Sequence, residues 1–171
     1  MTEPTAGTPA EDELPQLVGA VAVESARAEF ALRCMLVGLI DSQYAEIIAA
    51  GRGMDQLIDD CRALVDVNLD LDSNQKDKAR ALLADLKQLN TRRNRLVHSI
   101  LAMDQSHGVP EGSPQFSALY SKYRRPGLSE TITLEAARKV PERVRQAGGE
   151  LLIWTFSNLP AAMRQQVLPP P

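Results

Sequence analysis

The stretch DSNQKDKARALLADLKQLNTRRNRLVHSI, residues 72–100, decides the fold. Its apolar residues recur at alternating steps of three and four, which is the spacing of one face of an α-helix. Asp72 is a suitable N-cap, and Gln75 stands three residues later, in the position of a capping box. We therefore predict a long amphipathic helix. One of its seams has six apolar members and one arginine: Ala79, Leu82, Leu86, Leu89, Arg93, Leu96 and Ile100.

The helical pattern continues on the N-terminal side of this stretch. It predicts a first long helix over residues 14–40, a shorter helix over 44–50 that ends at Gly51, and a second long helix over 54–68. Residues 1–12 contain Pro and Gly and show no such pattern, so we expect them to form a flexible leader.

The C-terminal side begins with two short extended segments, residues 99–103 and 116–123, which predict a β-hairpin. Residues 131–134 fit a further strand or the lead into a helix. The last helix is expected to start at Pro141, since proline suits the first helical position, and to run to Asn158. The glycine pair at 148–149 inside it suggests close packing.

These elements predict a mostly all-α fold, an antiparallel helical bundle with a small β-hairpin inserted between the third and last long helices. The chain has 171 residues, of which 44% are hydrophobic and 24% charged, the ordinary range for a globular domain. We expect one domain over residues 13–159, followed by a Pro-rich tail at 160–171.

The composition of the chain limits the cellular compartment and the kinds of partner that we expect. The most apolar window, residues 31–40, is interrupted by Arg33 and is too short to cross a bilayer, and the acidic N-terminus is unlike a secretory signal. The sequence thus indicates a cytoplasmic protein without a membrane partner. Cys34 and Cys61 lack metal-site spacing and are interpreted as buried thiols, so we expect neither a metal nor a cofactor.

The charge of the chain is unevenly distributed. The formal net charge is -3, but residues 1–72 carry 4 basic and 14 acidic side chains, whereas residues 73–171 carry 15 basic and 8 acidic ones. The acidic total therefore does not exclude a polyanionic partner at a local basic surface.

The end of the third long helix holds Arg93, Asn94 and His98. Asn94 and His98 are four residues apart and share a face, whereas Arg93 and His98 are about 140° apart on an ideal helix. A joint site therefore needs Arg93 to reach across or a second chain to bring the groups together. From periodicity alone, the more ordinary interpretation is an arginine that extends its charged end to solvent and a surface histidine.

The segment Arg93-Asn94-Arg95-Leu96-Val97-His98 resembles the Arg-x4-His motif of the HEPN superfamily. The resemblance implies a HEPN-like bundle that forms a homodimer with the two motifs facing each other. It also implies a metal-independent endoribonuclease of toxin or defence type, with Arg93 and His98 as the catalytic pair, Asn94 as the residue that orients them, and an antitoxin protein as a partner. One HEPN subgroup has a tyrosine two residues after the histidine, where this chain has Ile100.

The residue chemistry suits cleavage of single-stranded RNA by its 2′-hydroxyl. Histidine can act as base or acid near neutral pH, and the guanidinium of arginine suits the charge that builds on phosphate. For RNA contacts we predict Arg92 and Arg95 beside the motif and the run Lys122-Tyr123-Arg124-Arg125. This run is equally well interpreted as a charged hairpin edge that prevents aggregation.

Two other functions remain open at this point. The first is a non-catalytic HEPN-like module that binds RNA or a partner protein. The second is a helical dimerisation protein in which Arg93 is buried for structural reasons.

Overall fold

The computed structural model describes residues 9–98, 100–103, 115–122 and 125–160. Within these residues the chain is mostly helical, which confirms the predicted all-α class. The helices are α1 (Pro9–Ile40), α2 (Ala45–Ala49), α3 (Met54–Val67), α4 (Ser73–His98) and α5 (Leu134–Asn158), and the strands are β1 (Ile100–Met103), β2 (Gln115–Lys122) and β3 (Arg125–Thr133). No helix in this part of the chain is long and apolar enough to cross a membrane.

Helix α4 begins as its sequence predicts. The backbone N–H of Gln75 donates to the Asp72 carboxylate at 2.8 Å, and the backbone N–H of Asp72 donates to the Gln75 side-chain oxygen at 2.8 Å. This reciprocal pair is the capping box, which satisfies two backbone donors at the helix start. The Gln75 amide also donates to the side-chain oxygen of Asn158 at 2.8 Å, so it ties the start of α4 to the end of α5.

Helices α1, α3, α4 and α5 pack around one apolar core. Helix α4 runs antiparallel to α3 and to α5, as the predicted bundle requires. Helix α1 runs in the same direction as α5, because Glu13 contacts Arg138 and Ala28 lies beside Gly148 further along both helices. The largest fully buried side chains of the core are Val21, Leu32, Met35, Leu36, Leu57, Val65, Leu83, Leu86, Leu89, Val144 and Leu151.

Three antiparallel strands occupy the place of the predicted hairpin. They form one sheet in the order β1-β2-β3, in which Met103 pairs with Phe116 and Gln115 pairs with Thr133. For residues 131–134 the sequence left open a strand or the lead into a helix. Residues 131–133 belong to β3, which begins at Arg125, and Leu134 starts α5. Residues 104–114, between the two segments of the predicted hairpin, and the predicted tail after residue 160 lie outside the described part of the chain.

Two helix starts differ from the sequence prediction. Helix α5 begins at Leu134, seven residues before Pro141, because the Thr133 hydroxyl caps the backbone N–H of Ala136 at 3.1 Å. Burial of Leu134, Ala137 and Val140 offsets the cost of a proline inside the helix. Helix α1 begins at Pro9, inside the segment that we expected to be a leader.

Both cysteines are free and buried, as their apolar settings predict. Burial raises the pKa of the Cys61 thiol to about 12, and the charge of Asp60 adds to this shift. Because the thiolate is the reactive form of cysteine, Cys61 is a packing residue in this fold.

One of the two glycines of α5 marks a close helix contact. A Cβ atom built on Gly148 would lie 3.1 Å from the Cα of Ala28 and 3.2 Å from its Cβ, whereas a Cβ on Gly149 would meet nothing within 4 Å. The predicted close packing is therefore confirmed for Gly148 alone.

This difference gives a paired test of the helix contact. Both Gly148→Ala and Gly149→Ala remove the same backbone entropy from the unfolded chain and gain the same helix propensity. We expect the Gly148→Ala protein to be less stable than the Gly149→Ala protein by about 1–3 kcal/mol, because only the former is overpacked against the α1 backbone. Urea denaturation followed by far-UV circular dichroism measures the difference. Equal stabilities would show that α1 and α5 do not meet at Gly148.

Candidate functional site

The four consecutive polar residues at the end of α4 lie on two opposite faces of the helix. At 100° per residue, Arg92 and Arg95 are about 60° apart on one side of the helix. Arg93 and Asn94 are about 100° apart on the opposite side. Each pair lines a different groove. The segment that the sequence presented as one basic cluster is therefore divided between two surfaces.

The first surface, here called the motif groove, has a volume of about 350 Å³. It lies among α1, the start of α3 and the end of α4, and its polar lining includes Ser25, Glu29, Asp55, Asn90, Arg93 and Asn94. The Arg93 Nη1 atom donates to the side-chain oxygen of Asn94 at 2.8 Å. The side chains of Arg93 and Asn94 are thus in direct contact in this groove.

The motif groove contains more acidic than basic groups. Glu29 accepts a hydrogen bond from Arg33 at 2.7 Å, and Asp55 accepts one from Asn90 at 2.9 Å. Both carboxylates line the groove with Arg93, so its lining has two acids and one base. In a single chain this groove therefore gives little electrostatic attraction for phosphate.

The second surface, here called the basic groove, has a volume of about 880 Å³ and lies between the end of α4, the end of β3 and the start of α5. Its lining holds two carboxylates, Glu135 and Glu142, against five cations. The five cations are Arg92, Arg95, Arg138, Lys139 and Arg143. An excess of positive charge along one concave surface favours a polyanionic ligand.

Arg138, Lys139 and Arg143 each have an acidic partner in the described part of the chain. Arg138 donates to both oxygens of Glu13, at 2.6 and 2.7 Å, and Lys139 donates to Glu135 at 2.5 Å. Arg143 has a longer contact of 3.3 Å with Asp85. The hydrogen bonds with Arg138 and with Lys139 hold the pKa of Glu13 and of Glu135 below their usual values.

Arg92 differs from these three cations. It is exposed, and it forms no ion pair with any residue of the described part of the chain. Exposed ion pairs contribute little energy, so an incoming phosphate can replace the partners of the other cations at small cost.

The floor of the basic groove is apolar. It is formed by Leu89, Leu96, Ile132 and Val140, with the methyl group of Ala136 at its edge. Leu89, Leu96 and Val140 are buried, whereas Arg138, Lys139 and Arg143 are more than half exposed along their side chains. The groove thus combines an aliphatic floor with a charged rim.

The remaining predicted site residues lie at the edge of the described region. His98 is the last residue of α4, and its side chain is outside the described part, as are Tyr123 and Arg124. Lys122 ends β2 and pairs with Arg125 at the start of β3. The structure therefore brings Arg93 to Asn94 and Arg92 to the same groove as Arg95, but it places the two pairs apart.

Sequence reasoning did not identify Arg138, Lys139 and Arg143 as site residues. They lie on the first turns of α5. Because the helix was expected to start at Pro141, Arg138 and Lys139 fell outside the predicted helix. Lys139 and Arg143 are four residues apart and share a helix face, which was the available signal.

Comparison of the chain with protein-family models, with curated proteins and with solved structures finds no match.

The contact between Glu13 and Arg138 predicts an effect on anion binding. Glu13→Gln removes a carboxylate that competes for Arg138, so we expect affinity for a short single-stranded RNA to rise about two- to threefold at low salt. Fluorescence anisotropy of a labelled strand measures the change. Glu46→Gln is the matched control, because Glu46 is exposed on α2 and lines neither of the two grooves. An equal gain in both variants would mean that only net charge matters.

Proposed function

We propose that this chain is a HEPN-like endoribonuclease that binds single-stranded RNA in the basic groove and cleaves it as a homodimer. The observation that carries the proposal is the collection of five cations from two helices in one groove, at the end of α4 that bears the Arg-x4-His motif. The proposal includes a toxin or defence role with a protein antitoxin, to which the resemblance of residues 93–98 points.

The basic groove supplies the binding part of this activity. Arg92 and Arg95 project from α4 toward the cations of α5, so a strand that follows the groove meets positive charge on both sides. Release of counterions from the RNA then contributes much of the affinity. Arg93 lies on the opposite face of α4, in the motif groove, so in this proposal an RNA strand held in the basic groove of one chain reaches the Arg93 of the second chain.

The motif supplies the cleavage part. The RNA 2′-oxygen attacks the adjacent phosphorus, the bond from phosphorus to the 5′-oxygen breaks, and a 2′,3′-cyclic phosphate forms. One histidine takes the proton of the 2′-hydroxyl, and another gives a proton to the leaving 5′-oxygen. Since each chain has one motif histidine, His98, two chains supply both groups. The Arg93 guanidinium, oriented by Asn94, stabilises the charge on phosphorus.

A second candidate function is binding of RNA without cleavage. It is favoured by the two carboxylates, Glu29 and Asp55, that share the motif groove with Arg93. In this alternative Arg93 is a structural partner of that acidic surface, and the basic groove alone contacts RNA.

The binding part of the proposal is tested by Arg92→Ala. Removal of one phosphate contact is expected to weaken RNA binding several-fold at low salt and to reduce the slope of log affinity against log salt by about 0.7. Arg62→Ala is the control, because Arg62 is exposed on α3 and lines neither groove. An unchanged slope in Arg92→Ala would contradict a phosphate contact in the basic groove.

The cleavage part is tested with purified protein, labelled single-stranded RNA and EDTA. We expect the wild-type protein to cleave and His98→Ala to lose at least about 100-fold in rate, as for removal of a general acid or base. Arg93→Ala should also lose activity, while its RNA affinity stays near that of the wild type.

The two candidate functions give different results in this assay. His107→Ala is the control for His98, since it removes the other histidine of the chain. Tight binding by the wild-type protein without any cleavage would select the non-catalytic function. Full activity in both His98→Ala and Arg93→Ala would exclude the motif as the catalytic site.

A further inference from the structure

The outer face of α1 carries an exposed stripe without charge. Gly19, Ala22, Val23, Ala26 and Phe30 lie within about 100° of one another around the helix, and all five are exposed. Val23 is 54% exposed and Phe30 is 52% exposed. Large apolar side chains in one exposed stripe are typical of a surface that contacts another protein.

A groove between α1 and α5 continues this stripe. It has a volume of about 630 Å³, and its lining is almost wholly apolar and includes the exposed residues Val23, Ala26, Phe30 and Gly149. A Cβ atom on Gly149 would meet nothing within 4 Å, so the groove is open there. Four residues later, on the same side of α5, Ile153 is 69% exposed. The stripe and the groove together, here called the α1–α5 face, thus hold both a hollow and projecting apolar side chains.

We propose that a second copy of this chain binds the α1–α5 face, so that α1 and α5 of one copy pack against α1 and α5 of the other. The inference rests on the proposed function for the need of two copies, and it adds the surface through which they meet.

The charges beside the groove favour a second copy over a partner that carries one sign of charge. Both cations that line the groove have a carboxylate beside them: Arg27 pairs with Glu24 at 2.8 Å, and Arg145 pairs with Glu142 at 2.7 Å. In a contact with two-fold symmetry both copies supply this same mixed surface, so a cation of one copy can meet a carboxylate of the other. A uniformly acidic or basic partner would meet as much repulsion as attraction.

The size of the face fits a stable dimer. Helix α5 has 25 residues, which gives a length of about 37 Å, and two adjacent helices are about 20 Å wide. The face therefore measures about 700 Å², near the ~800 Å² that each partner contributes to an interface of standard size.

The position of the face brings two motif grooves together. Ala22 and Ala26 line the motif groove, and Ala26 also lines the groove between α1 and α5. A two-fold axis close to Ala26 therefore places the motif groove of each copy at the edge of the contact, beside that of the other copy. Cleavage as proposed needs this arrangement, since each chain has one motif histidine, His98.

Sedimentation equilibrium of the full-length protein and of two matched variants tests the contact. Ile153→Glu places a carboxylate on the α1–α5 face, and Ile47→Glu places one on α2, where Ile47 is 73% exposed. We expect the wild type and Ile47→Glu to be dimers. For Ile153→Glu we expect a dimer dissociation constant at least about 100-fold higher, because an unpaired charge is costly to bury and enters a two-fold contact twice. Far-UV circular dichroism should be the same for all three, since both isoleucines are exposed in the single chain.

A cross-link tests the position of the two-fold axis. Ala26→Cys places a thiol close to the proposed axis, whereas Ala63→Cys places one on an exposed position of α3. The native Cys34 and Cys61 are buried. A short bifunctional maleimide is expected to join two copies of Ala26→Cys and to leave Ala63→Cys as single chains. Equal cross-linking of the two variants would overturn the inference.

The outcomes separate this inference from the proposed function. A monomeric wild-type protein would overturn the inference and leave the face to a different partner. Equal dissociation constants for Ile153→Glu and Ile47→Glu would place the contact elsewhere and also overturn it. A dimer that Ile153→Glu dissociates, but that cleaves no RNA, would support the inference and overturn the proposed nuclease. Cleavage at the wild-type rate by monomeric Ile153→Glu would support the contact and overturn the composite site of the proposed function.

Discussion

The contact of α5 with α1 determines where the charged groups of this protein lie. Gly148 brings the α5 backbone against Ala28, and the exposed pair of Glu13 with Arg138 joins the two helices nearer their starts. Because α5 also runs antiparallel to α4, the first turns of α5 lie beside the last turns of α4. This placement forms the basic groove.

Helix α4 separates two kinds of surface. On one face it meets α1 and α3, which contribute carboxylates of the acidic half of the chain, and on the other face it meets α5, which contributes cations of the basic half. The uneven charge along the sequence thus becomes an uneven charge across one helix. Such an arrangement guides a polyanion toward one side of the molecule, over distances of about one Debye length, ~8–10 Å.

Local sequence signals predicted the parts of the fold that depend on neighbours along the chain. The capping box of Asp72 with Gln75 and the periodic seam of α4 are both interactions within a few residues, and both are present as expected. The start of α5 was not predicted correctly, because burial of Leu134, Ala137 and Val140 against other helices outweighs the local preference of Pro141 for a helix start.

In the candidate site, too, contacts between neighbours along the chain can be predicted from the sequence, whereas contacts between helices cannot. Asn94 was expected beside Arg93, and their hydrogen bond spans adjacent residues. The partnership of Arg92 and Arg95 with Arg138, Lys139 and Arg143 joins residues more than 40 positions apart, and it follows only from the packing of α5 on α4. The sequence of these four polar residues also does not show that the outer two, Arg92 and Arg95, line one groove and the inner two, Arg93 and Asn94, line the other, because that depends on which helices cover each face.

The two ends of the contact between α4 and α5 are held by different chemistry. At the end distant from the basic groove, Gln75 and Asn158 are joined through neutral amides, which neither titrate nor lose strength by ionic screening. Closer to the groove, Arg143 and Asp85 are joined by opposite charges at 3.3 Å, which salt weakens. Rising ionic strength therefore weakens the contact of Arg143 with Asp85 and leaves that of Gln75 with Asn158 unchanged, while the apolar core keeps the two helices together.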